Sequence, residues 1–136
     1  MEVNGKHYQT VWFEKPVVRM INQPLLPHSF EIIDLPFYRD SALAIKNMVV
    51  RGAGAIGATA GFAMAQGILE ASETNFESDV QEAAEYIRSM RPTAQNLFYA
   101  VDKVLNSIEN FKDNPVKARE TAVITAQSIA LEDASY

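Results

Sequence analysis

The residues best suited to chemistry in this 136-residue sequence begin with an arginine followed by a glycine-rich run. Residues 52–57, GAGAIG, fit the pattern G-x-G-x-x-G letter for letter, and Arg51 stands directly before them. Small residues at a helix start expose backbone N–H groups, and the helix dipole attracts an anion to them. An arginine beside such amides can bind phosphate oxygens in a bidentate way. The run predicts either a site for a phosphorylated ligand or a tight turn between helices that carries an exposed arginine.

The same glycine pattern is typical of dinucleotide-binding domains, where it follows a β-strand and opens a helix that leads to a second strand. Here the preceding residues predict a helix that Asp40 can cap, because apolar residues recur at helical spacing after it. These apolar positions are Ala42, Ile45 and Val49. The residues after the run predict another amphipathic helix. Both neighbours therefore disfavour a Rossmann site.

A second arginine motif, RPTAQNL, occupies residues 91–97. Pro92 favours a helix start, which would place Arg91 and Thr93 beside another helix N-terminus. Asn96 could orient the arginine or its loop. The two arginines of the two motifs could converge on one phosphate if their helices are adjacent and parallel. The alternative is a pair of unrelated helix caps.

Several other chemistries are disfavoured by composition. The sequence has no cysteine, which excludes a thiolate nucleophile, a disulfide framework and a thiolate zinc site within it. His7 and His28 have no companion ligands at metal-binding spacing, so we predict surface or structural histidines, no metal and no cofactor. The net charge of −5, without a basic cluster, argues against nucleic acid as a partner.

Membrane insertion and secretion are also disfavoured. Residues 52–69 carry no charge, but they are rich in glycine and poor in the large apolar side chains that favour a membrane span. The first residues lack the apolar segment of a secretory signal. We therefore expect a cytoplasmic protein with no membrane partner.

The remaining patterns predict an α+β fold that is mainly α. The Asn4-Gly5 dipeptide is typical of a hairpin, and strands are predicted at 8–13, 17–21 and 30–33. This small antiparallel β unit, residues 1–38, is expected to pack on a bundle of four or five helices, residues 39–136, within one domain.

The helices are predicted from apolar stripes at helical spacing. The glycine-rich run opens a helix expected to be buried and central, in which Gly57 and Gly61 allow another backbone to approach. The predicted inward positions of the three later helices are Val80, Ala83, Ala84, Ile87 and Met90; Leu97, Val101, Val104, Leu105, Ile108 and Phe111; and Ala118, Ala122, Ala126 and Ile129. Asn114-Pro115 predicts the start of the last helix. The acidic residues from 70 to 85 are expected to form a solvated face.

These motifs resemble a known family. Residues 48–57 and 91–97, together with 8–13 and 23–27, are similar to methylthioribose-1-phosphate isomerases and to archaeal proteins related to translation initiation factor 2B. The isomerases usually have proline where this sequence has Gly54 and often valine where it has Gln95. The glycine form is typical of the archaeal 2B-like members, so these departures bear on the choice of substrate.

The resemblance implies that this sequence corresponds to the helical N-terminal domain of proteins about two and a half times as long. Their Rossmann-like catalytic domain, with its cysteine and aspartate, is absent here, and the last helix carries no stop signal, so we expect a continuation. Arg51, Gly52 and Ala53 match the family's phosphate-contacting triplet, and Arg91 matches its second substrate-contacting arginine.

The implied reaction is an aldose–ketose isomerisation of a phosphorylated pentose in methionine salvage, and a regulatory or scaffold module is the alternative. The segment alone is expected to be inactive. Family members pair as dimers mainly through the absent domain. We therefore expect a monomer or weak dimer, with the face around Gly57 and Gly61 able to associate if the absent domain normally covers it.

Overall fold

The computed structural model describes residues 2–3, 6–7, 11–21, 31–47 and 53–132. Its strands are β1 (Glu2–Val3), β2 (Lys6–His7), β3 (Val11–Glu14), β4 (Val17–Ile21) and β5 (Ile32–Leu35). Its helices are α1 (Tyr38–Lys46), α2 (Ala53–Glu70), α3 (Phe76–Arg88), α4 (Gln95–Ser107) and α5 (Pro115–Glu132), with a short 3-10 helix (Glu109–Phe111) before α5. The fold is α+β and mainly α, which confirms the predicted class.

The strands form two antiparallel arrangements. β1 pairs with β2 so that Val3 lies opposite Lys6, while the predicted hairpin residues between them lie outside the described residues. The three-stranded sheet has the order β3-β4-β5, and β4 has the predicted bounds. β5 is shifted by two residues from the predicted strand at 30–33: its pairing with β4 runs from Ile32, opposite Ile21, to the buried Leu35, opposite Val18.

Helix α2 is the centre of the bundle. Every residue from 55 to 68 is buried, so the helix is covered on all sides rather than along one face. A helix that is apolar all round is typical of a buried core position. The other four helices and the three-stranded sheet surround it, so α2 fixes where each of them lies.

The directions of the neighbouring helices follow from contacts along α2. A Cβ built on Gly57 would lie 3.5 Å from the Asn96 Cβ, and one built on Gly61 would lie 3.9 Å from the Ala100 Cβ. Both helices advance four residues between these contacts, so α4 runs parallel to α2. Gly61, in the middle of α2, approaches Ala126 of α5. Ala71, just after the C-terminal end of α2, accepts a hydrogen bond from Arg119, which is earlier in α5, so α5 runs antiparallel to α2. These neighbours cover the Gly57 and Gly61 face, so the expectation of an exposed associating face was wrong.

The buried side chain of Gln66 connects the sheet to the helices. Its Nε2 donates to the carbonyl oxygens of Pro16, at 2.9 Å, and Leu35, at 2.7 Å. Its Oε1 accepts a hydrogen bond of 2.5 Å from the Ser41 hydroxyl of α1. The amide thus uses both N–H groups and its oxygen in a site closed to water.

Of two predicted helix starts, that of α1 differs from the sequence analysis and that of α5 agrees with it. α1 begins at Tyr38 with Phe37 as its N-cap, so Asp40 lies within the first turn, where its carboxylate accepts the Phe37 N–H at 3.2 Å. The extended Phe37 sets this earlier start, because its carbonyl oxygen accepts the N–H groups of Asp40 and Ser41. α5 begins at Pro115, and the Asn114 side chain accepts the Lys117 N–H at 3.2 Å, which confirms the predicted cap. Val49, predicted within the first helix, lies outside the described residues.

Most of the positions predicted to face inward in the later helices are buried. The predicted α3 positions are buried apart from Met90, which is half-buried in the turn after Arg88, and all four α5 positions are buried. The stripe from Leu97 to Phe111 was predicted as continuous, but α4 ends at Ser107 and a 3-10 turn carries Phe111. Among the described helices, none has the length and hydropathy needed to cross a bilayer.

Candidate functional site

The structure describes two of the four predicted site residues, Ala53 and Arg91. Arg51 and Gly52 lie outside the described residues, and Ala53 is the first residue of α2. Arg91 lies in a turn before α4, where its carbonyl oxygen accepts the Ala94 N–H at 2.9 Å. The shared arrangement of Arg51 and Arg91 therefore stays a prediction, while the helices that lead from each motif can be compared directly.

The N-termini of α2 and α4 lie at the same end of the bundle. Gly57, one turn into α2, meets Asn96, the second residue of α4, and the missing side chain of Gly57 allows this approach at 3.5 Å. Because the two helices are parallel, their first turns present backbone N–H groups in the same general direction. This satisfies the adjacency and direction that convergence of the two motifs requires.

The predicted start of α4 at Pro92 was wrong. Residues 91–94 form a turn, Ala94 is the N-cap, and the helix begins at Gln95. The Arg91–Ala94 backbone hydrogen bond closes this turn, so the proline fixes a turn conformation rather than the first helical residue. Arg91 thus stands one turn outside the helix, on the loop in front of its N-terminus.

The helices differ in whether a carboxylate or a side-chain cap lies at their positive N-terminal end. Carboxylates occupy the start of α1, through Asp40 and Glu70, and the first turn of α3 contains Glu77 and Asp79. The start of α5 has the Asn114 side-chain cap. The first turns of α2 and α4 contain no acidic residue, and α4 has no side-chain cap. Among the described residues, these two parallel helices therefore start without a carboxylate at their positive N-terminal ends.

The guanidinium of Arg91 is also available. Its side chain is partly exposed, and within the described part of the chain no carboxylate forms an ion pair with it. Arg88, three residues earlier, differs in this respect because its Nη2 lies 2.5 Å from an Asp102 carboxylate oxygen. Arg91 is therefore a partly exposed cation in the turn before α4, with no ion pair to any carboxylate of the described residues.

Glu70 is exposed, as predicted for the solvated acidic face, and its carboxylate also makes a specific structural contact. Its Oε2 accepts the backbone N–H of Tyr38, the first residue of α1, at 2.7 Å. Burial raises the pKa of the Glu70 carboxyl, and the nearby Asp40 acts in the same direction. Residues 32 positions apart form this contact, and local sequence pattern carries no signal for it.

The structure is a mainly helical α+β fold in which the parallel helices α2 and α4 start at the same end of the bundle. The sequence model of the "Initiation factor 2 subunit family" matches residues 49–135. The chain belongs to this family, as the sequence resemblance predicted.

Relatives of two kinds match nearly the whole chain. The methylthioribose-1-phosphate isomerase of Thermoanaerobacter sp. (strain X514) is 39% identical over 94% of this chain and 38% of its own length. The crystal structure of 5-methylthioribose 1-phosphate isomerase from Pyrococcus horikoshii OT3 matches 93% of this chain and 37% of that one with a TM-score of 0.87 and 36% identity.

The second kind is a translation factor. The crystal structure of translation initiation factor eIF-2B, subunit delta, from A. fulgidus matches 94% of this chain and 38% of that one, with a TM-score of 0.86 and 27% identity. The chain thus spans little more than a third of the length of the relatives it matches.

Proposed function

We propose that this chain is the substrate-phosphate-binding N-terminal domain of an aldose–ketose isomerase similar to S-methyl-5-thioribose-1-phosphate isomerase, acting in methionine salvage in the cytoplasm. The observation that carries the proposal is the pair of parallel helix starts, α2 and α4, whose first turns have no carboxylate. Each start follows one of the two arginine motifs. The names of the isomerase relatives support the choice of substrate.

In this proposal the domain binds and positions the substrate without carrying out the chemistry. Arg51, the amides of Gly52 and Ala53, and Arg91 hold the phosphate at the two helix starts. A phosphate held in this way stays bound while the sugar ring opens, and such positioning lowers the entropic cost of the reaction. The acid–base groups come from a C-terminal Rossmann-like domain, and the complete protein pairs as a homodimer.

Binding of methylthioribose 1-phosphate, measured by calorimetry on the complete gene product, tests the proposal. Arg91→Ala and Arg51→Ala should each weaken binding by ~1.5 to 3 kcal/mol, the range for hydrogen bonds to charged groups. Arg88→Ala is the matched control, because this nearby arginine is already paired with Asp102. It should leave binding unchanged.

Thermal unfolding of each variant separates lost binding from lost folding, and the melting temperatures should stay close to that of the wild type. Equal affinities for the wild type and the Arg91→Ala variant would refute the assigned role. The isolated 136-residue chain should produce no ketose, because it lacks a cysteine and has no marked acid–base pair. Turnover by this chain alone would contradict the division of labour.

The second candidate function is a regulatory or scaffold module that senses a phosphorylated sugar or nucleotide. The likeness to the eIF-2B delta subunit favours it, together with Gly54, which departs from the usual isomerase pattern. The two candidates differ in one measurement on the complete gene product. Binding followed by conversion of methylthioribose 1-phosphate supports the isomerase, whereas binding without conversion supports the module.

A further inference from the structure

Gly57 lies where the first turns of α2 and α4 touch. It is buried in α2, one turn after the helix begins at Ala53, and it meets Asn96, the second residue of α4. A Cβ added to Gly57 would lie 3.5 Å from both the Cβ and the carbonyl oxygen of Asn96. The three nearest heavy atoms outside α2 all belong to Asn96, so the start of α4 bounds the space beside Gly57.

The same contact fixes how far each helix extends at this end of the bundle. α2 has four residues before Gly57, which span about 6 Å at 1.5 Å per residue, whereas α4 has one residue before Asn96. The first turn of α2 therefore extends past the start of α4, at the end where the Arg91–Ala94 turn precedes that helix. Gly57 and Asn96 thus set both the lateral spacing and the register of the two starts.

Gly61, one turn further along α2, has different neighbours. A Cβ added there would lie 3.4 Å from the Cδ1 of Ile129 and 3.8 Å from the Cα of Ala126, both in α5. The Cβ of Ala100 in α4 is the third neighbour, at 3.9 Å. A larger side chain at Gly61 therefore presses first on α5, whereas one at Gly57 presses on the start of α4.

We propose that Gly57 is a positioning residue, whose missing side chain keeps the starts of α2 and α4 at the separation at which both bind one phosphate group. The inference rests on the proposed function, in which the two starts hold that phosphate together. α2 is buried on all sides at Gly57, so a larger side chain cannot turn toward solvent and must displace α4. Hydrogen bonds to the phosphate would then weaken, because they depend steeply on distance and angle.

Side chains of increasing size at Gly57 test this role in the complete gene product, with affinity for methylthioribose 1-phosphate measured by calorimetry. An added Cβ makes only an ordinary contact, so the loss of affinity should appear with Gly57→Val and grow with Gly57→Leu. Gly57→Val should weaken binding by about tenfold or more, which corresponds to the loss of roughly one hydrogen bond to a charged group. If Gly57→Val does not fold, Gly57→Ser provides a smaller side chain with the same expected direction.

Gly61→Val is the matched control, because it adds the same side chain to the same buried helix but presses first on α5. It should lower the melting temperature and leave the affinity close to that of the wild type. Asn96→Gly removes the Cβ that the new valine side chain meets. Added to Gly57→Val, it should restore part of the affinity, even though glycine in a helix lowers stability.

The spacing of the two starts can also be measured without ligand, because the 136-residue chain has no cysteine and accepts a specific pair of spin labels. Gly54→Cys in the first turn of α2 and Thr93→Cys in the exposed turn before α4 place one nitroxide at each start. The dipolar broadening between the labels should be weaker in Gly57→Val and unchanged in Gly61→Val.

A folded Gly57→Val variant with the affinity of the wild type would overturn the proposal, and so would equal losses of affinity in Gly57→Val and Gly61→Val. Unchanged dipolar broadening in Gly57→Val would overturn it even if the affinity fell. A wild type that does not bind methylthioribose 1-phosphate would refute the proposed function and this role with it. Binding by the wild type that Gly57→Val leaves intact would refute the positioning role alone.

Discussion

Replacing Gln66 with leucine should loosen the attachment of the sheet to the helices. The Gln66 side chain is buried in α2 and bonds to Pro16 in the turn between β3 and β4, to Leu35 at the end of β5, and to Ser41 in α1. Leucine has a similar size but can form none of these three hydrogen bonds. The substitution therefore removes polar contacts with little change in volume.

The expected cost follows from the groups left without partners. A polar group stranded in a buried site costs ~1 to 3 kcal/mol, and three such groups are affected. Burial of the leucine side chain returns ~1.5 to 3 kcal/mol. At the middle of these ranges, we expect Gln66→Leu to lower the free energy of unfolding by ~4 kcal/mol, a large part of the ~5 to 15 kcal/mol typical of a domain.

Two spectroscopic probes can follow the sheet and the helices separately. The only tryptophan of the chain, Trp12, lies in β3, so its fluorescence reports on the sheet. Far-UV circular dichroism reports mainly on the helices. In urea, the two transitions of the wild type should coincide. In Gln66→Leu, the fluorescence transition should occur at lower urea than the helical one, because the sheet loses its polar attachment first.

Gln81→Leu is the matched control, because Gln81 is exposed on α3 and its loss should change stability by no more than ~0.5 kcal/mol. Ser41→Ala should lower stability less than Gln66→Leu, because it removes one of the three bonds. Coincident transitions in Gln66→Leu, with a free energy of unfolding within 1 kcal/mol of the wild type, would refute the assigned role.

Two further predictions concern other contacts of α2. Gly67→Ala would place a Cβ 2.6 Å from the Cβ of Ala83, so α3 must shift and chemical denaturation should show a loss of ~1 to 3 kcal/mol. Gly57→Ala, whose nearest contact is an ordinary 3.5 Å, should keep or raise stability, by up to ~1 kcal/mol, because alanine favours a helix over glycine; equal losses in the two variants would contradict the packing argument. Burial raises the pKa of Glu70, so folding favours its protonated form and stability from this group is lost as pH rises through that pKa. Glu70→Gln keeps an oxygen that can accept the Tyr38 N–H. The free energy of unfolding of this variant should therefore equal or exceed that of the wild type at neutral pH, and any advantage should disappear in acid. A variant that is less stable than the wild type at neutral pH would show that the charge itself is required.

Local pattern was enough to predict the elements whose signals lie within a few residues. The strand at Val17–Ile21 and the start of α5 at Pro115 have the predicted bounds, because β-branched residues and an Asn-Pro cap act over short range. The uncharged, small-residue composition of residues 53–69 correctly indicated a central buried helix. The motifs of residues 48–57 and 91–97 likewise led to the correct family.

Tertiary structure decided where these elements meet. The parallel arrangement of α2 and α4 depends on the contact between Gly57 and Asn96. The first N–H group of α1, that of Tyr38, donates to Glu70, which is far along the chain. In the sequence, Gln66 is a polar residue within an apolar run and carries no further signal, although its side chain joins three parts of the chain. A residue's own neighbours in sequence set its backbone preference, but the partner of a buried polar group is chosen by packing among distant segments, and that choice exists only once the chain has folded.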